Sequence, residues 1–402
     1  MVEVHSKALE KSIHVNRIIG HIKGEIIGPT LIFTGGVHGN EPSGVFALQK
    51  VIDFLQSNKI PVKGSIYAIS GNLKALEKGE RYLKEDLNRL WTSKRMNILN
   101  GNIPPKKNED EAEQTEINAV INDIISKEEG PFYFMDLHTT SGETIPFLTV
   151  NDSLLNRKFT MQYPVPLILG IEEFLKGPLL SYINELGYVA FGFEGGQHDD
   201  LASIENHEAF IYLSLVFSES IKKESINFLH YYEVLAKTSI DSRGIFEIFY
   251  RYKIESDETF IMNPGFLNFQ RIKSGQNLAI SNNKNIITHK KGRILMPQYQ
   301  KQGDDGFFII RSIPLFYLRL SEFFRNKRID RILPLLPGVN WLSEKRDALI
   351  VNRKIAWIFA KQFFHLLGYR SKKLDKTHLI IKNREAASKK EDYYTSLWFK
   401  TK

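Results

Sequence analysis

The stretch Gly35-Gly36-Val37-His38-Gly39-Asn40-Glu41-Pro42 places a histidine and a glutamate three positions apart in a glycine-rich loop. The run before it, Pro29-Thr30-Leu31-Ile32-Phe33-Thr34, is apolar and β-branched and is bounded by glycines, the signature of a buried strand. His38 and Glu41 therefore sit just past a strand's end. In open α/β sheets, ligand sites form in the crevice outside the carboxyl ends of the strands. Glycines at 35, 36 and 39 permit the backbone angles that a tight metal loop needs. An HxxE pair alone is a weak pattern, because Glu41 also suits the first turn of the helix that Ser43-Gly44-Val45-Phe46-Ala47-Leu48 opens.

A catalytic zinc takes three protein ligands and a water, so a third ligand must come from elsewhere. Phe132-Tyr133-Phe134-Met135-Asp136-Leu137-His138 supplies it, as a second apolar run that ends in a histidine and leads into the polar turn Thr139-Thr140-Ser141-Gly142. Two such strands side by side bring His38, Glu41 and His138 together. Asp136, two residues before His138, shares its face and is placed to orient it.

Two further motifs keep this company. Arg81-Tyr82-Leu83-Lys84-Glu85-Asp86-Leu87-Asn88-Arg89 carries two arginines and an asparagine. Guanidinium forks bind carboxylates, and an arginine beside a zinc can stabilise an oxyanion, although by itself such a segment reads as a solvated loop. Tyr188-Val189-Ala190-Phe191-Gly192-Phe193-Glu194-Gly195-Gly196 alternates like a strand and ends in a carboxylate flanked by glycines. A buried glutamate there suits a general base, or else an ion pair with a lysine. His198 is a rival ligand or a plain loop residue.

Together, GGVHGNEPSG, RYLKEDLNR, MDLHTTSG and FGFEGG, in this order and at these separations, resemble the succinylglutamate desuccinylase and aspartoacylase family, relatives of the zinc carboxypeptidases. The resemblance covers roughly residues 15–310. It implies that His38, Glu41 and His138 hold one Zn2+ per chain, that Glu194 is the base, that Arg81 polarises the scissile carbonyl, and that Asn88 and Arg89 hold a substrate carboxylate. Aspartoacylase-like members carry a further substrate arginine ten residues before the base, where this chain has Asn184. That departure favours a monocarboxylate over a doubly acidic substrate, with Lys176 as a substitute cation if a dicarboxylate is taken after all. The same members lend a tyrosine from a C-terminal domain, for which Tyr299 is the nearest candidate.

Composition fits an enzyme of this kind. The 402 residues can bury a large core and should form two or three domains. The absence of cysteine excludes disulfides, thiolate zinc sites and a cysteine nucleophile. The start, MVEVHSKALEK, has acids and no apolar core, so no secretory signal is expected and a cytoplasmic location is. No phosphate-cradling glycine loop or G-x-S-x-G elbow argues for a nucleotide enzyme or a serine hydrolase.

Apolar strands near 30–35, 65–70, 132–138, 145–150 and 188–194 alternate with helical patterns near 43–56, 111–127 and 201–221. This predicts an α/β fold, a mixed carboxypeptidase-like sheet covered by helices, over residues 1–235. Residues 93–110 read as a loop able to overhang the site. Short alternating runs and Pro-Gly turns predict a small β-rich domain over 236–318, similar in its turn order to a lipoyl-like sandwich but without a displayed lysine. Residues 319–402 read as a basic, partly helical extension. From 321 onward it holds 19 Lys or Arg against 8 Asp or Glu, a net of +11, which exceeds the whole chain's +8. Ala348 to Leu367 reads as a helix, with Ile350, Val351, Ile355, Ile358, Phe359 and Phe363 on one side, packed on the catalytic domain. A membrane or polyanion contact through this tail is the less favoured reading.

The expected function is hydrolysis of an amide, or less readily an ester, of an N-acyl amino acid or similar small carboxylate by zinc-activated water. The alternatives are a zinc carboxypeptidase acting on peptides and a non-catalytic scaffold with a basic tail. The expected partner is the small-molecule substrate, without specific nucleic acid and in a form compatible with a homo-oligomer.

Overall fold

The computed structural model describes residues 1–101, 108–342, 344–352, 361–373 and 378–400. Its centre is an eleven-stranded mixed sheet, with strands in the spatial order Arg271–Ile272, Gly292–Leu295, Asp305–Ser312, Ile245–Lys253, Leu167–Leu169, Phe147–Val150, Val189–Gln197, Phe132–Thr140, Ile26–Gly35, Lys63–Ser70 and Ile18–Lys23. Thr30–Gly35 runs parallel to Phe132–Leu137 on one side and to Ser65–Ser70 on the other. His138 is in register with Glu194 on the next parallel strand.

The chain leaves strand 26–35 through helix Ser43–Ser57 and enters strand 63–70 on one side. It then returns through helix Glu109–Lys127 to strand 132–140 on the opposite side. The crevice between the ends of strands 26–35 and 132–140 is thus a topological switch point, where a ligand can enter between loops that diverge.

Period-two alternation decides which residues line which layer. Leu31, Phe33, Met135 and Leu137 pack with Leu48, Val51 and Ile52 of helix 43–57 and with helix Leu201–Phe217. Ile32 and Phe134 face the other way, onto Ile117, Ile121 and Ile124 of helix 109–127. Asp136 and His138 follow Phe134 in the same period, so the strand carries them together at the end of that face.

The β-rich segment after 240 does not stand apart. Ile245–Glu247 pairs parallel with Leu167–Leu169, and strands 305–312, 292–295 and 271–272 then continue the central sheet. A separate three-stranded sheet, Phe260–Met262, Asn277–Ser281 and Lys284–Ile287, packs beside it. We propose divisions of the chain near 235 and 318, the first marking a change of connectivity rather than of sheet.

The extension corrects part of the sequence reading. Ala348–Asn352 is a strand, not the start of a helix, between Val339–Trp341 and His378–Asn383 in a four-stranded sheet. Leu349 and Val351 alternate into a small core with Phe364, Leu367 and Tyr369, so a β-branched run satisfies a period of two where a helix had been read. Lys361–Leu366 is helical, and 353–360 lie outside the described residues. Likewise Ser93–Gly101 is a helix within the expected loop 93–110, of which 102–107 lie outside the described residues. Among the described residues no helix is long and apolar enough to cross a membrane.

Candidate metal centre and cleft

Strand 26–35 leads into Gly36, whose φ of 74° turns the backbone into the left-handed region open to glycine. The loop then closes on itself, with the Glu41 amide donating to the His38 carbonyl at 3.1 Å, and on the arginine segment, with the Gly39 amide donating to the Arg81 carbonyl at 3.2 Å. His38, Glu41 and His138 converge with one donor atom each inside 4.8 Å. All three are buried.

The hydrogen bonds around them fix their orientation. His38 Nδ1 lies 2.9 Å from Glu41 Oε1, and His138 Nδ1 lies 3.1 Å from Glu41 Oε2. Each ring presents its other nitrogen to an acid, His38 Nε2 to Asp86 at 3.1 Å and His138 Nε2 to Asp136 at 2.7 Å. Thr34 Oγ1 in turn donates to Asp136 at 2.6 Å. When both imidazoles are neutral, acids at Nε2 select the tautomer protonated there and leave both Nδ1 lone pairs aimed at the Glu41 carboxylate.

Three electron-pair donors facing one another need positive charge between them. Without a metal, protons on the imidazoles supply that charge. Burial alone would raise the Glu41 carboxyl, yet His38 and His138 hold it well below the usual carboxylate range. Burial would lower the His138 imidazole, yet Asp136 and Glu41 hold it well above its ordinary value. A divalent cation meets this demand with the donor types that zinc takes, so the residues fit the ion.

Glu194 lies in the same cleft, and its Oε2 has no hydrogen-bond partner among the described residues. Burial, opposed by His138 and helped by the charge of Glu41, pushes its carboxyl up to about 8. A neighbouring cation would favour the ionised form, which is the form that can accept a proton.

Arg81 donates from Nη1 to Glu41 at 3.3 Å and from Nη2 to Asp86 at 3.3 Å, which leaves its buried Nε–H without a partner among the described residues. Arg89 has both Nη groups occupied by the chain itself. Its Nη2 donates to Asp305 at 2.7 Å and its Nη1 to the Asn88 carbonyl at 3.0 Å, while Asp305 also pairs with Arg251. Asn88 accepts from the Leu179 amide at 2.9 Å, so its NH2 group is the end left for a substrate. Asn184 donates to the Leu180 and Ala190 carbonyls and serves the fold, not the cleft. The exposed Lys176 is likewise absent from the cleft lining.

His198 stands outside the converging trio, bonded through Nδ1 to Thr139 at 2.7 Å and through Nε2 to Gln300 at 3.2 Å. Tyr299 turns away, donating to the Asn263 carbonyl at 2.9 Å. Its neighbours Gln298 and Gln300 line the cleft instead.

Asp110, at the start of helix 109–127, escaped the sequence reading. Wholly buried, it accepts from Asn72 Nδ2 at 2.7 Å and from the amides of Leu83, Lys84 and Glu85 at 3.2, 2.6 and 2.9 Å, pinning the segment that carries Arg81 and Asp86. The only signal was an acid at a helix start, which ordinary capping already explains. Asp110→Asn turns one acceptor into a donor facing donors. It should cost about 2–4 kcal/mol, because each orphaned buried group costs about 1–3 kcal/mol. Urea unfolding would show this as a lower midpoint with unchanged m.

The chain is similar to known proteins. Residues 27–163 match the profile of the succinylglutamate desuccinylase/aspartoacylase catalytic domain. The succinylglutamate desuccinylase of Photorhabdus laumondii is 32% identical over 88 residues, 22% of this chain and 26% of that protein. The chain thus matches about a quarter of the length of that curated relative. The crystal structure of a succinylglutamate desuccinylase/aspartoacylase from Rhodobacter sphaeroides superposes over 73% of this chain and 88% of its own, with a TM-score of 0.55 and 15% identity. The product-bound ectoine utilization protein EutE (DoeB) from Ruegeria pomeroyi gives the same coverage, a TM-score of 0.53 and 16% identity.

Proposed function

We propose that the chain, whose residues 27–163 match the succinylglutamate desuccinylase/aspartoacylase catalytic domain, is a member of that family and a cytoplasmic zinc-dependent hydrolase that cleaves the amide bond of an N-acyl amino acid or similar small carboxylate. The observation that carries this reading is the buried convergence of His38, Glu41 and His138, each imidazole backed by an acid, beside a glutamate with an unpartnered oxygen. Held by these three residues, zinc would supply the positive charge that acidifies water and polarises a carbonyl.

Glu194 accepts a proton from the attacking water as its oxygen bonds to the acyl carbon. The Arg81 Nε–H donates to the oxyanion that develops on the acyl oxygen. As the C–N bond breaks, Glu194 returns the same proton to the leaving nitrogen, so the base ends in its starting state. Burial of Glu194 and Arg81 keeps bulk water from screening these interactions.

The cleft also supports a substrate preference. Among the described residues lining it, the permanent cations are Arg81 and Arg89, and both already face acids. One substrate carboxylate can take the Asn88 NH2 group and the unpartnered Arg89 Nε–H. A second carboxylate would meet Asp305 without a free cation to offset it. Ile171, Leu175, Leu180, Phe191, Met296 and Phe308 give the cleft an apolar wall instead, suited to a neutral acyl group or side chain.

We expect N-acyl neutral amino acids to exceed N-acetylaspartate and N-succinylglutamate in kcat/KM by at least about tenfold. Loss of one charge-assisted bidentate contact is worth about 1.5–3 kcal/mol. Amine release from a side-by-side panel that includes a dipeptide measures this. A tenfold preference for a dicarboxylate would overturn the substrate preference, and hydrolysis of the dipeptide alone would favour a carboxypeptidase.

A further inference from the structure

Two stretches of the cleft wall carry buried acids immediately after a lining residue. Asn151 lines the cleft and Asp152 follows it, and Ile171 lines the cleft and Glu172 and Glu173 follow it. Each has ties within the catalytic part, with Arg157 Nε donating to the Asp152 carboxylate, Asn156 Nδ2 to the Asn151 carbonyl at 3.1 Å and Arg251 Nη1 to the Phe174 carbonyl at 2.8 Å, but these leave both acids of the turn unmatched. The first is a link between strand 147–150 and helix Leu154–Thr160, and the second is a single 3-10 turn, too short to be stable without outside contacts.

The cations that meet Glu172 and Glu173, and a second cation for Asp152, come from the C-terminal extension. Arg325, on helix Leu315–Asn326, donates from Nη1 to the Asp152 carbonyl and from Nη2 to its carboxylate, both at 2.8 Å, and its side chain is 1% exposed. Arg384, just past strand 378–383, spans both acids of the turn. Its Nε donates to Glu172 at 2.9 Å and its Nη2 to Glu173 at 2.6 Å, and its Nη1 reaches Asp152 at 3.4 Å. The extension is itself fastened beneath the sheet, where the Val189 amide donates to the Tyr393 hydroxyl at 3.0 Å and Trp398 Nε1 to the Tyr133 hydroxyl at 3.0 Å.

We propose that Arg325 and Arg384 are positioning residues that fix the Asn151 and Ile171 side of the cleft, so that the extension sets which acyl groups or side chains the site accepts. The specificity half of this proposal rests on the deacylase reading. The bracing half does not. A fork that spans two carboxylates holds both the position and the rotation of a one-turn segment, which a point charge cannot do. Without it, Ile171 and Leu175 lose the backbone that holds them against the substrate.

The test compares full-length wild type with Arg384→Ala, Arg384→Lys and, as a control on the exposed surface of the extension, Lys390→Ala. Hydrogen exchange is followed in peptides covering 149–155 and 168–176. Arg384→Ala should speed exchange in both peptides at least tenfold, with Arg384→Lys between it and wild type and Lys390→Ala unchanged. With zinc loaded, the kcat/KM ratio between small and bulky N-acyl substrates should flatten at least tenfold through KM, while kcat on the best substrate changes less than threefold and metal content stays constant. Unchanged exchange in both peptides, or an unchanged selectivity ratio with a uniform fall in kcat, would overturn the proposal. If Arg384→Ala does not fold, Arg384→Lys carries the same readings. If wild type hydrolyses no N-acyl amino acid, the deacylase reading fails, and the exchange result alone decides whether the brace exists.

Discussion

Glu194→Gln is expected to lower turnover by about a hundredfold or more, the scale of general base catalysis, while metal content stays at the wild-type level. The amide matches the carboxylate in shape but cannot accept a proton from water. Because the Glu194 oxygen that would do so has no partner among the described residues, the exchange breaks no described hydrogen bond of that oxygen, and stability should stay close to wild type. Turnover in Glu194→Gln equal to wild type would move the base to another residue. His198 would be the first to try, since it bonds to Thr139, whose amide donates to Glu41.

Removing a histidine of the trio should have an effect as large by a different route. His138→Ala deletes one of three converging donors and leaves Asp136 buried without its imidazole. Catalytic zinc sites depend on three protein ligands, so occupancy should fall from about one zinc per chain to a small fraction of that, and turnover with it. Asp136→Asn is the graded companion. It keeps all three donors but weakens the hold on the His138 tautomer, and such supporting acids are worth about 10–100-fold in metal affinity. Elemental analysis after dialysis against zinc buffers separates the two variants.

The parts of the site legible in the sequence are those encoded locally. His38, Glu41 and His138 each follow an apolar run, and strand ends on a parallel sheet converge, so a linear pattern sufficed to place them together. Asp136 followed from period two alone. What sequence reading missed depends on pairing between distant positions. Arg89 meets Asp305 across 216 positions, and nothing near Arg89 announces that its charge is already matched. The same holds for Asp152 with Arg325 and for Glu172 with Arg384, which join the extension to the cleft. The extension's strand at 348–352 was hidden for another reason. A short apolar run fits a helix face or a strand equally well, and only its partners at 339–341 and 378–383 decide between them.

One metal held by His38, Glu41 and His138 is expected to enable this chain to release an amine from an N-acyl amino acid. The most direct test is zinc titration of chelator-stripped wild type, with amine release from an N-acyl neutral amino acid and bound zinc read in the same samples. Activity should be absent from the stripped protein and rise to a plateau at about one zinc per chain, with the His38→Ala/His138→Ala double variant binding no zinc and releasing no amine at any point. Amine release that persists in the stripped protein, or full zinc occupancy in the double variant, would rule out this site as the catalytic metal centre.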